Sequence, residues 1–270
     1  MRNPDTYWKR DAIPLGNQFP NQTFHWFGSD RAHTYKRESS IYGHRDILYQ
    51  FNSRGYRSIE YDALSDSNKV LFLGDSVTMG VGLPYQDVWT SQLAHRIGLE
   101  QHNYGVGGCS NELIAQIACQ TIPLLKPKLV VVMFTSLSRR SYYTSDGLRH
   151  DIRLGSNWPG QPIEEKQAIA HYQALQNDNN DFFEFLSHYR LIEAYCGLTN
   201  TPWVWSNWSK EYDFSIMGDY TDSSRYVEMN ATIDFARDGS HPGPKTNAMF
   251  SDAFFKHHVI ASELSLRTQS

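Results

Sequence analysis

The 270-residue chain has only three cysteines, Cys109, Cys119 and Cys196. An odd number in a chain this long excludes a disulfide framework as the basis of the fold and fits a reducing compartment or buried free thiols. No Cys/His spacing suits a zinc ion, and no residue pattern calls for a metal or an organic cofactor. Lys and Arg total 25 against 29 Asp and Glu, a net charge of −4. They form no dense block, so the basic footprint that nucleic acid requires is missing. No apolar run reaches the length of a membrane span, and Met1–Arg10 lacks the apolar centre of a signal peptide, which gives the expectation of a cytoplasmic or otherwise soluble protein. Internal repeats and low-complexity tracts are also missing.

Aromatic residues, by contrast, make up 14% of the chain. That share fits either a ring-lined groove or an aromatic core. Residues 1–66 mix Pro, Asn, Gly and Tyr without a sustained period. They read as an irregular arm with short strands near Ile47–Phe51 and Ile59–Tyr61, held on the rest of the chain by Phe24, Trp26, Phe27, Tyr35, Tyr42, Tyr49, Phe51 and Tyr56. From residue 67 to 270 apolar runs alternate with amphipathic stretches. That pattern predicts a three-layer α/β/α sandwich around a parallel sheet of about five strands.

The predicted strands of this second part are Val70–Leu73, His102–Tyr104, Leu129–Phe134 and Thr201–Trp205. Asp87–Ile97 is predicted helical with Asp87 as its cap, and a helix starting at Ser110 or Asn111 should bend or end near Pro123. Ile163–Tyr195 reads as helix interrupted near Asn177–Asn180 and stopped by Gly197. Thr246–Leu264 closes the chain as a helix. The stretch Ser138–Pro162 is long for a plain connection.

Two distant segments carry reactive side chains. Gly74-Asp75-Ser76-Val77-Thr78-Met79-Gly80 follows the first apolar strand, which places the Ser76 hydroxyl at the carboxyl edge of a sheet where backbone N–H groups can face a developing oxyanion. Far along the chain stands Asp238-Gly239-Ser240-His241-Pro242. Its spacing lets a short loop hold the carboxylate against one imidazole nitrogen while the other faces the serine. The order Gly-Asp-Ser is not the Gly-x-Ser-x-Gly elbow of the α/β-hydrolases.

Together these segments resemble the SGNH hydrolase superfamily, the GDSL esterases and lipases, over about residues 69–264. The resemblance implies an SGNH/flavodoxin-like fold, Ser76 as nucleophile, Asp238 as triad acid and His241 as base. It also implies an oxyanion hole from the N–H groups of Ser76 and Gly108, the latter in Asn103-Tyr104-Gly105-Val106-Gly107-Gly108. Phe51-Asn52-Ser53-Arg54-Gly55-Tyr56-Arg57 is similar to a stretch found ahead of this catalytic core. One block departs from the pattern: Phe134-Thr135-Ser136-Leu137-Ser138-Arg139-Arg140 lacks the Asn that gives the third oxyanion hydrogen bond. A hydroxyl of Thr135, Ser136 or Ser138 is the candidate replacement, with Ser136 and Ser138 foremost.

The resemblance also implies that Asp75, beside the nucleophile, holds loops by hydrogen bonds and stays outside the triad. Arg139 and Trp208 are candidate substrate contacts, one for an anionic group and one for a sugar ring. The implied activity is removal of a small acyl group, acetyl foremost, from a carbohydrate or related small-molecule ester. Transfer of the acyl group to a polysaccharide hydroxyl needs the same triad. A carbohydrate-binding protein on a decayed hydrolase scaffold is the non-enzymatic alternative, and the intact Ser76, Asp238 and His241 argue against it. The sequence is silent on oligomeric state.

Overall fold

Uninterrupted apolar runs can be satisfied only by burial on both faces, and this requirement places a parallel sheet at the centre of the chain. A computed structural model of the protein describes residues 21–26, 47–60, 68–143, 149–153, 161–209, 218–229 and 231–267. Among them, β3 (Lys69–Gly74), β4 (Glu100–Gly105), β5 (Leu129–Phe134) and β8 (Trp203–Asn207) form one four-stranded sheet in the order β4-β3-β5-β8. All neighbours are parallel, with Leu71 opposite His102 and Val130, and Val131 opposite Val204.

Alternation along the strands sorts side chains into two cores. Leu71, Leu73, Val130, Val132, Trp203 and Trp205 face α3 (Asn111–Leu125) and α5 (Asp178–Leu198). Val70, Phe72, Leu129, Val131, Met133 and Val204 face α2 (Trp89–Ile97) and α6 (Pro244–Phe255). The result is the three-layer α/β/α sandwich, with four strands in the sheet. Much of the aromatic content is core: the Trp205 ring lies 4.7 Å from Tyr226, 5.3 Å from Tyr189 and 5.9 Å from Phe134.

Chain order fixes where a site can form. From β3 the chain crosses to β4 on one side and then returns to β5 on the other, so the loops leaving the carboxyl ends of β3 and β5 diverge and open a crevice. Close backbone contact lines this crevice. Gly105 lies so near α1 (Ser76–Met79) that an added Cβ would overlap the Met79 nitrogen and sit 2.9 Å from the Asp75 carbonyl oxygen.

Several elements differ from the sequence expectation. Asp87 lies in a short 3-10 turn, and α2 begins at Trp89, whose N–H is accepted by Asn247 Oδ1 at 3.0 Å instead of by a local cap. The helix from Asn111 runs through Pro123 to Leu125, capped by Ser110. The expected interruption is present, with Asn177 capping α5 after α4 (Ile163–Leu175), but α5 continues past Gly197 to Leu198. The closing helix is broken into α6 and α7 (His258–Arg267). Strand β8 lies two residues beyond its expected position, and β4 is longer, reaching from Glu100 to Gly105.

Part of the stretch after β5 is a hairpin of β6 (Arg139–Tyr143) and β7 (Arg149–Arg153). Arg140 fastens it to α5 through Asp181 and through Glu184 at 2.8 Å. Before the sheet, β1 (Thr23–Trp26) pairs antiparallel with β2 (Ile47–Gln50), while Ile59 and Glu60 are irregular. Ile47, Tyr49 and Phe51 pack with Met79 and Val81. Phe27, Tyr35, Tyr42, Tyr61 and the side chains of Phe24 and Trp26 lie outside the described residues.

The tight β4–α1 approach gives a direct test. Gly105→Ala is expected to destabilise the protein by about 1–3 kcal/mol through overpacking, measured as a lower urea midpoint at an unchanged slope. An unaltered midpoint would mean that β4 and α1 do not approach as described.

Candidate active site

Asp75 ends β3 and starts α1 by accepting the Val77 N–H on Oδ1 at 2.9 Å. Its other oxygen, Oδ2, accepts from Thr135 Oγ1 at 2.8 Å, Arg139 Nη1 at 3.0 Å and Trp208 Nε1 at 3.0 Å. The carboxylate is fully buried. A buried charge persists where a countercharge and hydrogen bonds replace water, and here the loops after β3, β5 and β8 each supply a donor. The polar atoms of Arg139 and Trp208 thus point toward Asp75, with the Arg139 guanidinium 5.9 Å from the Trp208 ring centroid.

Thr135 is held from a second side. The Asn111 amide accepts its N–H at 2.9 Å and donates to its carbonyl at 3.1 Å, and Asn207 Nδ2 donates to the same carbonyl at 3.1 Å. In the sequence Asn111 stands out only as a helix start and Asn207 only as part of an Asn-x-Ser triplet, so neither is marked there as a support for Thr135. Ser136 Oγ and Ser138 Oγ are 2.8 Å apart and hydrogen-bonded to each other, and Leu137 between them is buried in the α3 core.

Ser76 is the first residue of α1, mostly buried at 7% exposure. Gly108, before α3, has φ 76°, is exposed, and would carry a Cβ into open space. Positive φ explains glycine here. Cys109 is the next residue. Burial pushes its thiol well above the ordinary range and the nearby Asp75 charge adds to the effect, so it stays protonated.

Asp238 and His241 sit in a loop closed by backbone bonds from Ala236 N–H to the His241 carbonyl and from Gly243 N–H to the Asp234 carbonyl, each 2.8 Å. Gly239, with φ 70°, makes the reversal. Asp238 Oδ2 contacts His241 Nδ1 and accepts from Ser240 Oγ at 2.8 Å, while Oδ1 accepts the N–H groups of Ser240 at 3.1 Å and His241 at 3.0 Å. Burial alone would raise the Asp238 carboxyl, but the bonds from His241 and Ser240 outweigh it and hold it below its ordinary value.

Two side chains flanking the loop brace it. Asn247 Nδ2 donates to the carbonyls of Pro242 and Gly243, and Asp234 accepts the N–H groups of Lys245 and Thr246 at the start of α6. The loop abuts the turn that follows Ser76: Arg237 N–H donates to the Gly82 carbonyl at 3.3 Å. Asp238 and His241 are thus paired and stand at the same sheet edge as Ser76.

The fold is thus a three-layer α/β/α sandwich with a buried serine at the switch point of its parallel sheet and an Asp–His pair on the loop before α6. No family model matches the chain, and no curated protein sequence matches it. Among solved structures it is similar to an acetyl xylan esterase from the rumen bacterium Butyrivibrio proteoclasticus, at 12% identity over 81% of this chain and 68% of that one, with a TM-score of 0.47. It is also similar to a psychrotrophic esterase from a Pseudoalteromonas species (12% identity, 71% and 96% covered, TM-score 0.42). A third is a carbohydrate esterase family 2 enzyme of Corynascus thermopiles (12%, 76% and 69%, TM-score 0.41).

Two outcomes test the electrostatics. Because the folded Asp238 carboxyl is held down, its stabilisation is complete above its ordinary value of 3.8 and is lost as pH falls through the lowered value. Urea unfolding of wild type and Asp238→Asn across this range should give curves that converge at the acid end. A pH-independent gap between them would contradict the pairing. Asp75→Asn leaves Arg139 facing a neutral group and should cost about 3 kcal/mol, read in the same assay at neutral pH.

Proposed function

We propose that the chain is a serine ester hydrolase of SGNH type that removes a small acyl group, acetyl foremost, from a carbohydrate or related ester through an acyl-enzyme on Ser76. The observation that carries this reading is the Asp238–His241 pair, set in a braced loop against the turn that leaves the Ser76 helix. Asp238 holds Nδ1–H and with it the tautomer, so that Nε2 is the nitrogen that takes the Ser76 proton as Oγ attacks the ester carbonyl. The oxyanion rests on the N–H groups of Ser76 and Gly108. Collapse expels the alcohol, which receives the proton from His241. Water, deprotonated by the same imidazole, then cleaves the acyl-enzyme and releases the acid.

Polar residues gather at this edge of the sheet, with Thr135, Ser136 and Asn207 at the ends of β5 and β8 and Asn111 at the start of α3. A polar edge of this kind favours a short acyl chain and a hydroxylated leaving group over a long apolar chain. Arg139 takes a positioning role through Asp75 in this reading, and the Trp208 ring face is the part left to meet a sugar. The Ser136–Ser138 hydroxyl pair stands in for the missing Asn. The chain divides functionally into an arm over residues 1–66 and a catalytic domain over 67–270.

The test is hydrolysis of p-nitrophenyl acetate, butyrate and octanoate. The acetate should be cleaved fastest, and Ser76→Ala should lower kcat by at least about 10³-fold. Equal rates for wild type and variant would end the enzyme reading, and a rate rising with chain length would end the small-acyl reading. Replacing both Ser136 and Ser138 with Ala should lower kcat about 10²-fold at constant KM, whereas no loss would leave Ser76 and Gly108 as the sole donors. Added sugar acceptors should leave acetate release unchanged; diversion into an acetylated sugar would mark a transferase.

A further inference from the structure

Arg57 is 1% exposed, and among the described residues no carboxylate pairs with it. Its Nη1 donates to the carbonyls of Met79 at 3.3 Å and Gly80 at 2.8 Å, and its Nη2 to those of Leu48 at 3.2 Å and Leu83 at 2.9 Å. The guanidinium lies 4.0 Å from the centroid of the Tyr49 ring, and the Tyr49 hydroxyl accepts the Gly82 N–H at 2.7 Å. Two side chains from the segment ahead of the sheet therefore grip residues 79–83 by both kinds of backbone group: the guanidinium takes carbonyls and the phenol takes an amide.

The gripped turn joins the two parts of the proposed triad. On one side, the Ser76 carbonyl accepts the N–H groups of Gly80 at 3.0 Å and Val81 at 3.2 Å. On the other, the Gly82 carbonyl accepts the Arg237 N–H, next to Asp238, and a Cβ added at Gly82 would lie 2.8 Å from the Ala236 Cβ. Any displacement of this turn moves Ser76 relative to His241.

We infer that Arg57 and Tyr49 are positioning residues that set the separation between the Ser76 hydroxyl and the His241 imidazole, an inference that rests on the hydrolase reading above. A buried, uncompensated cation is a costly way to hold a turn, and what it supplies that an apolar residue cannot is a flat fork with donors in several fixed directions. A lysine ammonium keeps the charge but cannot span carbonyls on both sides while lying flat on the tyrosine ring. Misplacement of reacting groups by about 1 Å costs on the order of 10²-fold in rate without any loss of substrate contacts.

The experiment measures kcat and KM for p-nitrophenyl acetate, the rate of Ser76 labelling by a fluorophosphonate, and the melting temperature. It compares wild type, Arg57→Lys, Tyr49→Phe and a destabilised core variant of α2, Leu93→Ala. Arg57→Lys should lower kcat and the labelling rate together by about 10²-fold, with KM changed by no more than about twofold. Tyr49→Phe keeps the ring and removes only the bond to Gly82, so it should shift both rates the same way by a smaller factor. Leu93→Ala should melt earlier yet keep its kcat.

An Arg57→Lys variant that keeps kcat and labelling, or whose loss falls on KM, overturns the inference while leaving the hydrolase intact. If Arg57→Lys does not fold, Tyr49→Phe decides alone, and unchanged rates there overturn it. A wild type that neither hydrolyses nor labels at Ser76 removes the hydrolase reading and this inference with it.

Discussion

A single buried carboxylate organises the carboxyl edge of the sheet. Asp75 accepts donors from its own helix start, from Thr135 after β5, from Arg139 at the start of the hairpin and from Trp208 beyond β8. The donors come from the connections after β3, β5 and β8, so none of the three can relax without leaving part of a desolvated charge unsatisfied. This anion gives the ends of three parallel strands a shared reference point. The Asn111–Thr135–Asn207 bonds extend the same constraint by one layer.

How much of this was legible in the chain depended on sequence separation. Strands β3 and β5 were plain because Val70–Leu73 and Leu129–Phe134 are apolar at every position. Strand β8 was misplaced because Ser206 and Asn207 look like the end of a strand; they remain in it because their side chains bond to Val227 and Thr135. The start of α2 could not be read locally, since its cap comes from Asn247, and Gly197 did not stop α5. At the site, Asp238 and His241 are three residues apart and were readable as a unit, and the Asp75 role was foreseen in kind. The donors on Asp75 and the bracing of Thr135 were not, because they exist only once distant loops meet.

The aromatic share divides along similar lines. Trp203, Trp205, Phe134, Phe185 and Tyr189 fill the space between β8, β5 and α5, where rings at offset and edge-on angles pack densely. Tyr56 stacks on Tyr104 with centroids 4.0 Å apart, fixing the segment before the sheet to edge strand β4. The Asn52 amide supports that stack by accepting the N–H groups of Arg54 and Tyr56. Composition alone left a ring-lined groove open, and among the described residues most rings serve the core.

The hydrogen bond from Trp89 N–H to Asn247 spans 158 positions of sequence. The same Asn247 steadies the His241 loop, so the imidazole is seated only when this late segment meets a helix made long before it. Closure of so long a span is entropically late in assembly. During synthesis, a ribosome-bound nascent chain that has already exposed Ser76 still lacks the Asp238–His241 loop, and the two segments meet only after the helices that follow His241 have emerged.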